Sequence, residues 1–252
     1  MCYNSCMEQP SERPQLLPPE SKEYESKVVI ITGGASGIGR AVADTFIEKG
    51  AHVIVLDVVQ RPEGLTESQF RKVDVSDWGV VRNAVNVIAE EMGGIDYVVN
   101  NAAMKVSGSI LDVSSETFEK LLKVNALGFW NVAKATLPHL IKSKGTLIDV
   151  CSGTSENLPP NTDAYFGSKG TTYSLTHSLA STFKDKGVAV RGIAPGPVDT
   201  PLWREGKSEE DIQAMLAGKR GPKVESPNAI AENILSLASK NNPNFNGKII
   251  RL

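Results

Sequence analysis

Residues 28 to 50 read VVIITGGASGIGRAVADTFIEKG. The first five are a short β-branched run, which suits a strand. The turn Thr32 to Gly39 carries four glycines, and from Ile38 to Lys49 an amphipathic segment follows, closed by Gly50 where a left-handed helix end is cheapest. Strand, glycine turn and helix in that order open a βαβ unit, and in such a turn Gly33, Gly37 and Gly39 let the backbone approach a pyrophosphate. The helix N-terminus around Ser36 and Ile38 supplies N–H groups and a positive dipole. The spacing is G-x-x-x-G-x-G, not the general G-x-G-x-x-G fingerprint, so the turn alone is a weak match. Arg40 and Ala41 follow the last glycine in place of Lys and Ser/Thr, which removes a nucleotide-triphosphate P-loop.

Outward from this unit the same texture repeats. Strands are expected at 28 to 32, 52 to 57, 70 to 74, 95 to 100, 145 to 151, 187 to 193 and 247 to 251. Helices are expected at 38 to 49, 78 to 92 and 163 to 186, each stopped by a glycine. The pattern is that of βαβ units on a parallel sheet, an α/β fold in one domain over 26 to 252 with seven candidate strands. Residues 1 to 25 hold Pro10, Pro14, Pro18 and Pro19 among polar side chains and read as a disordered or loosely docked leader.

Composition narrows the function. Lys and Arg total 27 against 29 Asp and Glu, a formal charge of −2, which offers no broad attraction for nucleic acid. No apolar run approaches a membrane span, and the N-terminus lacks the marks of a secretory signal. The odd, sparse cysteines Cys2, Cys6 and Cys151 fit a reducing compartment, so a cytoplasmic location is expected. His52, His139 and His177 show neither metal nor triad spacing, so no metal is expected and a Ser/His/Asp hydrolase is disfavoured.

The chemistry falls to Ser152, Tyr165 and Lys169. Tyr165 and Lys169 stand four apart on an expected helix, one turn from each other on one face. A free phenol titrates near ~10, and a neighbouring ammonium favours the phenolate, bringing it toward useful acid–base work. Ser152 ends a strand, where its hydroxyl can bind an oxygen that Tyr165 also reaches. Asp57, eighteen residues beyond Gly39 at the end of the second strand, suits an adenosine ribose and repels a 2′-phosphate. NAD is therefore favoured, with NADP kept open by Arg40 and Arg61.

Taken together, Thr32-Gly33-x-x-x-Gly37-Ile38-Gly39, Asp74-Val75, Asn100-Asn101-Ala102, Val124-Asn125, Ser152, Tyr165-x-x-x-Lys169 and Pro195-Gly196-Pro197-Val198-x-Thr200 occur in the order and spacing of the short-chain dehydrogenase/reductase family. The resemblance covers about residues 26 to 251 and implies an α/β, Rossmann-like doubly wound fold, a seven-stranded parallel sheet with helices on both faces. It implies catalytic roles for Asn125, Ser152, Tyr165 and Lys169, with Asn125 holding a water that links the lysine to solvent. It places Asp74 and Val75 at the adenine, Asn101, Ala102 and Val124 along the cofactor, and Pro195, Gly196, Val198 and Thr200 at the nicotinamide. Bland readings stand beside these: a helix cap for Asp74, a structural bridge for Asn125. Where the family usually has Gly, position 103 is Ala, which costs of order 1 kcal/mol if that φ is positive.

The expected activity is an NAD(H)-dependent hydride transfer between the nicotinamide and a secondary alcohol or ketone, mid-sized and partly apolar. The alternative is a catalytically inactive dinucleotide-binding regulator, disfavoured because it needs no intact Asn125, Ser152, Tyr165 and Lys169. Substrate walls are expected at 104 to 109, 153 to 163 and 202 to 221. Surplus apolar positions on 125 to 142 and 163 to 186 predict a homodimer or homotetramer. Relatives usually continue past the position of Leu252 into a tail that supports a second contact, so the dimer is the favoured unit.

Overall fold

The computed structural model describes residues 15 to 153 and 158 to 252. Its sheet strands are β1 (Val28–Thr32), β2 (His52–Asp57), β3 (Phe70–Lys72), β4 (Tyr97–Asn100), β5 (Thr146–Val150), β6 (Ala189–Ala194) and β7 (Ile249–Arg251). They lie in the order β3-β2-β1-β4-β5-β6-β7, and every pairing is parallel. The helices between them are α1 (Gly37–Glu48), α2 (Trp78–Met92), α3 (Ser115–Leu122), α4 (Phe129–Ser143), α5 (Asp163–Phe183), α6 (Pro201–Arg204), α7 (Glu209–Leu216) and α8 (Pro227–Ala238). The seven-stranded Rossmann-like sheet expected from the sequence is present, with strand ends shifted by up to two residues. β3 stops at Lys72 because Asp74 turns the chain, accepting from the Ser76 amide at 2.9 Å.

A parallel sheet is covered on both faces, so its strands are apolar throughout. All five residues of β1 are buried. Val29 and Ile31 face the layer of α1 and α8, while Val28 and Ile30 join α2 and α4 on the other side. The glycine stops read from the sequence are made at Gly50, Gly93 and Gly187, with φ of 79°, 76° and 81°. Because β1 lies between β2 and β4, the chain leaves it to one side and returns on the other. The crevice at the carboxyl ends of β1 and β4 is the switch point where this architecture binds ligands.

The expected leader ends differently. Residues 1 to 14, with Cys2 and Cys6, lie outside the described residues, but 15 to 25 is docked. Tyr24 is buried, its hydroxyl donates to the Leu235 carbonyl at 2.6 Å, and its ring meets Phe46 and Tyr97 edge-on at 4.9 and 5.1 Å. Glu23 accepts from the Ser239 hydroxyl and the Lys240 amide, both at 2.7 Å. A proline-rich tail pattern carries no sign of one aromatic residue that fits a slot formed by α1, β4 and α8.

Candidate active site

The glycine turn has the shape a pyrophosphate needs. Gly33 and Gly37 have φ of 65° and 55°, and a Cβ on Gly39 would lie 2.2 Å from the Gly33 carbonyl oxygen. Ser36 precedes α1 in an extended conformation, and its side chain caps none of the helix amides. The first-turn amides, Ile38 and Gly39 included, are thus left for a ligand. Ser36 lines a cavity of about 580 Å³ with Ala103, Pro201, Leu202, Arg204 and Glu205. These residues fit a dinucleotide phosphate.

Asp57 is fixed against this turn. Its carboxylate accepts from the Ala35 amide at 3.0 Å and the Val58 amide at 2.8 Å. The two arginines that leave a 2′-phosphate open are engaged elsewhere. Arg40 pairs with Asp44 at 2.9 Å and donates to the Glu63 carbonyl, and Arg61 donates to the Leu65 carbonyl.

Next along the cleft, Asp74 takes the Ser76 amide and hydroxyl, at 2.9 and 2.7 Å, and shapes the turn. The cap of α2 is Asp77 instead, accepting from the Val80 amide at 3.0 Å. Val75 is buried, and its carbonyl accepts from the Asn131 side chain at 3.0 Å. A Cβ on Gly128 would lie 2.6 Å from the Val75 side chain. Asn131 and Gly128 are positioning residues that the sequence reading missed. An amide in the apolar run of α4, six residues after Asn125, was the available signal.

The loop after β4 is latched to β1. The Thr32 hydroxyl accepts from the Asn101 and Ala102 amides at 3.0 Å, and the Asn101 side chain donates to the Thr32 and Gly33 carbonyls at 2.9 and 3.1 Å. Asn100 reaches the Phe129 carbonyl at 3.0 Å. Ala103 is not among the described non-glycine residues with positive φ, so alanine there carries no backbone strain.

Val124 and Asn125 fall in a π-helical turn, Lys123–Gly128, between α3 and α4. Val124 packs on the core layer beneath it. The Asn125 carboxamide is buried and spans the cleft floor: it accepts from the Met104 amide, donates to the Met104 carbonyl and donates to the Ser168 hydroxyl, each at 2.9 Å. Both its N–H groups are thereby used, so the bridging role belongs to the side chain. The π turn shifts nearby carbonyls off the regular helical register.

At the end of β5 two bonds clamp α5 into place. The buried Lys169 ammonium donates to the Val150 carbonyl at 2.8 Å, and the Tyr173 hydroxyl donates to the Ser152 carbonyl at 2.8 Å. Tyr165 lies one helical turn before Lys169, half-buried, with its carbonyl accepting from Ser168 at 2.7 Å. Of the substrate wall expected at 153 to 163, residues 154 to 157 lie outside the described residues. Cys151 is buried, and desolvation first, then the nearby Asp149, push its thiol up to about 11, which makes it a packing residue.

Asp149 is the other group the sequence reading missed. It is fully buried in β5, its Oδ2 contacts the Thr176 hydroxyl at 2.9 Å, and its Oδ1 has no partner. Burial pushes its carboxyl up to about 8, against smaller lowering contributions from Thr176 and Lys169.

The segment expected at the nicotinamide is built more by main chain than by side chains. Pro195 accepts from the Gly153 amide at 3.2 Å, and a Cβ on Gly196 would meet the Leu252 carbonyl at 3.5 Å. Val198 is buried and bridged to Glu225. Thr200 caps α6, accepting from the Trp203 amide at 3.1 Å, and a Cβ on Gly37 would sit 3.0 Å from its methyl. The histidines do not converge: His52 starts β2, His139 lies in α4, and His177 bonds the Gly247 carbonyl at 2.7 Å. Among the described residues no cluster of His, Cys, Asp or Glu has the makings of a metal site, and no helix is long and apolar enough to cross a membrane.

A parallel sheet with a glycine turn at its switch point and a Tyr–Lys helix at β5 has a family. Residues 27–211 match the family described as short chain dehydrogenase. An uncharacterized oxidoreductase of Thermotoga maritima is 35% identical over 191 residues, 72% of this chain and 75% of its own length. The rat L-fucose dehydrogenase is 34% identical over 193 residues, 72% of this chain and 70% of its own. Among solved structures, the ligand-free aldohexose dehydrogenase of Thermoplasma acidophilum superimposes with a TM-score of 0.83 at 26% identity, covering 92% of this chain and 94% of that one. ElxO with NADP bound gives 0.79 at 27% identity, covering 90% and 96%. The chain belongs to the short-chain dehydrogenase/reductase family of oxidoreductases, which bind nicotinamide dinucleotides.

Proposed function

We propose that the protein is an NAD(H)-dependent dehydrogenase or reductase acting on a secondary alcohol or its ketone. The observation that carries this is the clamp of Lys169 onto Val150 at 2.8 Å, which sets the first turn of α5, with Tyr165, against the strand end that bears Ser152. A bound nicotinamide supplies the hydride acceptor or donor. Tyr165 moves the hydroxyl proton, Lys169 favours the phenolate, and Ser152 orients the substrate oxygen. Asn125 acts on this centre through Met104 and Ser168, holding the loop after β4 at a fixed distance from α5.

NAD is favoured over NADP by the Asp57 carboxylate and by the engagement of Arg40 and Arg61 away from the ribose position. The L-fucose and aldohexose dehydrogenases among its relatives favour a polyhydroxylated, sugar-like carbinol within the wider class. Sparse cysteine supports a cytoplasmic setting. We also propose a homodimer or homotetramer, since Phe118, Leu127 and Trp130 are exposed along α3, the π turn and α4. Tyr165→Phe tests the central reading: it should lower kcat by 10²–10⁴-fold while NAD(H) still binds. Retention of more than about a tenth of kcat would remove Tyr165 from the proton transfer.

A further inference from the structure

Arg204 stands one helical turn after Thr200, and Thr200 is packed against the glycine turn. The Arg204 amide donates to the Thr200 carbonyl at 2.9 Å, and a Cβ on Gly37 would sit 3.0 Å from the Thr200 methyl. Residues four apart on a helical turn share a face, so Arg204 continues the wall that Thr200 begins. Arg204 and Ser36, the residue before α1, line the same cavity of about 580 Å³.

The way Arg204 is held leaves part of it free. Its Nε and Nη2 donate to the two carboxylate oxygens of Asp199, at 2.6 and 3.0 Å. Asp199 is itself fixed, its amide donating to the Glu225 carbonyl at 3.0 Å. A guanidinium carries five N–H donors in one rigid plane. Asp199 takes the side edge of that plane and sets its orientation. The end edge, made by Nη1 and the second Nη2–H, has no partner among the described residues. Two parallel N–H groups of this kind are the fork that meets two oxygens of a phosphate.

Nothing on the α1 side of the cavity supplies a cation. Ser36 caps none of the first-turn amides, and Arg40 is engaged by Asp44 and the Glu63 carbonyl. Among the described residues that line the cavity Arg204 is the one cation; Glu205, the acid among them, is exposed, where water and salt screen its charge.

We infer that Arg204, held edge-on by Asp199, is a diphosphate-binding residue of the dinucleotide site. The free edge of its guanidinium takes oxygens of the diphosphate that NAD and NADP share, while the first-turn amides of α1 take others. Asp199 is a positioning residue that acts through Arg204. The inference rests on the dinucleotide site of the reading above and is independent of the substrate. Arg204 lies beyond Pro195-Gly196-Pro197-Val198-x-Thr200, the last segment on which the family resemblance stands.

The test measures binding rather than turnover, on the full-length protein. Dissociation constants are read for NADH and NADPH by nucleotide fluorescence and for ADP-ribose by calorimetry, at low and high salt. Arg204→Met should weaken all three by about tenfold and flatten their salt dependence, because salt screens a contact between a phosphate and a cation. Arg204→Lys should recover part of the affinity and of the salt dependence, since it restores the charge without the fork. Unchanged dissociation constants in Arg204→Met, with or without a lower Tm, would make the Asp199–Arg204 pair a staple of α6 and overturn the inference. A loss confined to NADPH would place Arg204 at the 2′-phosphate, and a loss that spares ADP-ribose would place it at the nicotinamide; either overturns it. Tyr165→Phe separates this from the parent reading, because it should lose turnover and still bind all three. A wild type that binds none of them overturns the dinucleotide reading and this inference together.

Discussion

The Asp149 carboxyl lies 2.9 Å from the Thr176 hydroxyl, which also lies 2.8 Å from the Thr172 carbonyl. A threonine hydroxyl has one proton, so it cannot donate to both oxygens at once. The contacts are all satisfied if Asp149 is protonated and donates to Thr176, which then donates to Thr172. A neutral carboxyl also agrees with its complete burial and with the unpartnered Oδ1.

The sign of the pH effect follows. The unfolded carboxyl ionises near ~4, whereas burial raises the folded group to about 8. Between those values the folded state holds a proton that the unfolded state has lost, so this group lowers stability progressively as pH rises from about 4 to about 8. Asp149→Asn keeps the shape and the donor and removes the titration. The difference in Tm, variant minus wild type, should grow from pH 5 to pH 8, as read by thermal melts in matched buffers. A difference independent of pH would mean that Asp149 is ionised in the folded protein throughout.

Asp57→Ala should weaken NAD(H) and shift relative preference toward NADP(H), because it removes a ribose acceptor and a charge that repels a 2′-phosphate. With Ala35 and Val58 losing their acceptor, the turn also loosens. Loss of a charge-assisted hydrogen bond is worth about 1.5–3 kcal/mol, so a change of about tenfold or more in the NADP/NAD ratio of kcat/KM is expected. An unchanged ratio would move cofactor selection away from Asp57.

Tyr24 ties the N-terminal segment to α8. Tyr24→Phe leaves the Leu235 carbonyl unpaired in a buried slot, at a cost of about 1–3 kcal/mol. Tyr24→Ala also empties the space between Phe46 and Tyr97, at about 3–5 kcal/mol. Urea denaturation should rank wild type, Phe and Ala in that order. A Phe variant as stable as wild type would show that ring packing alone secures the segment.

Leu127 and Trp130 are 45% and 47% exposed on neighbouring turns, while Leu179 and Phe183 of α5 pack on the core of their own subunit. The apolar surplus thus lies on the α3–α4 side rather than equally on both helices. Light scattering on dilution should show a dimer or larger species, and Trp130→Glu should shift it toward monomer. A wild-type monomer at micromolar concentration would refute pairing through this face.

Much of this protein was written in local pattern. The β-branched run before Gly33, the glycine stops at Gly50, Gly93 and Gly187, and the four-residue step from Tyr165 to Lys169 each depend on residues within a turn or two of one another. Backbone sterics and side-chain periodicity act at that range, so the strands and the helices between them were legible. The same cannot hold for contacts between distant segments. Tyr24 reaches Leu235 across 211 positions, Asn125 spans 43 to reach Ser168, and Asp149 spans 27 to reach Thr176. No short window distinguishes a tail tyrosine from a core one, or a strand aspartate that is solvated from one that is sealed. Burial and orphaned polar atoms arise only when the walls are packed together, because desolvation and Coulomb energy depend on three-dimensional neighbours.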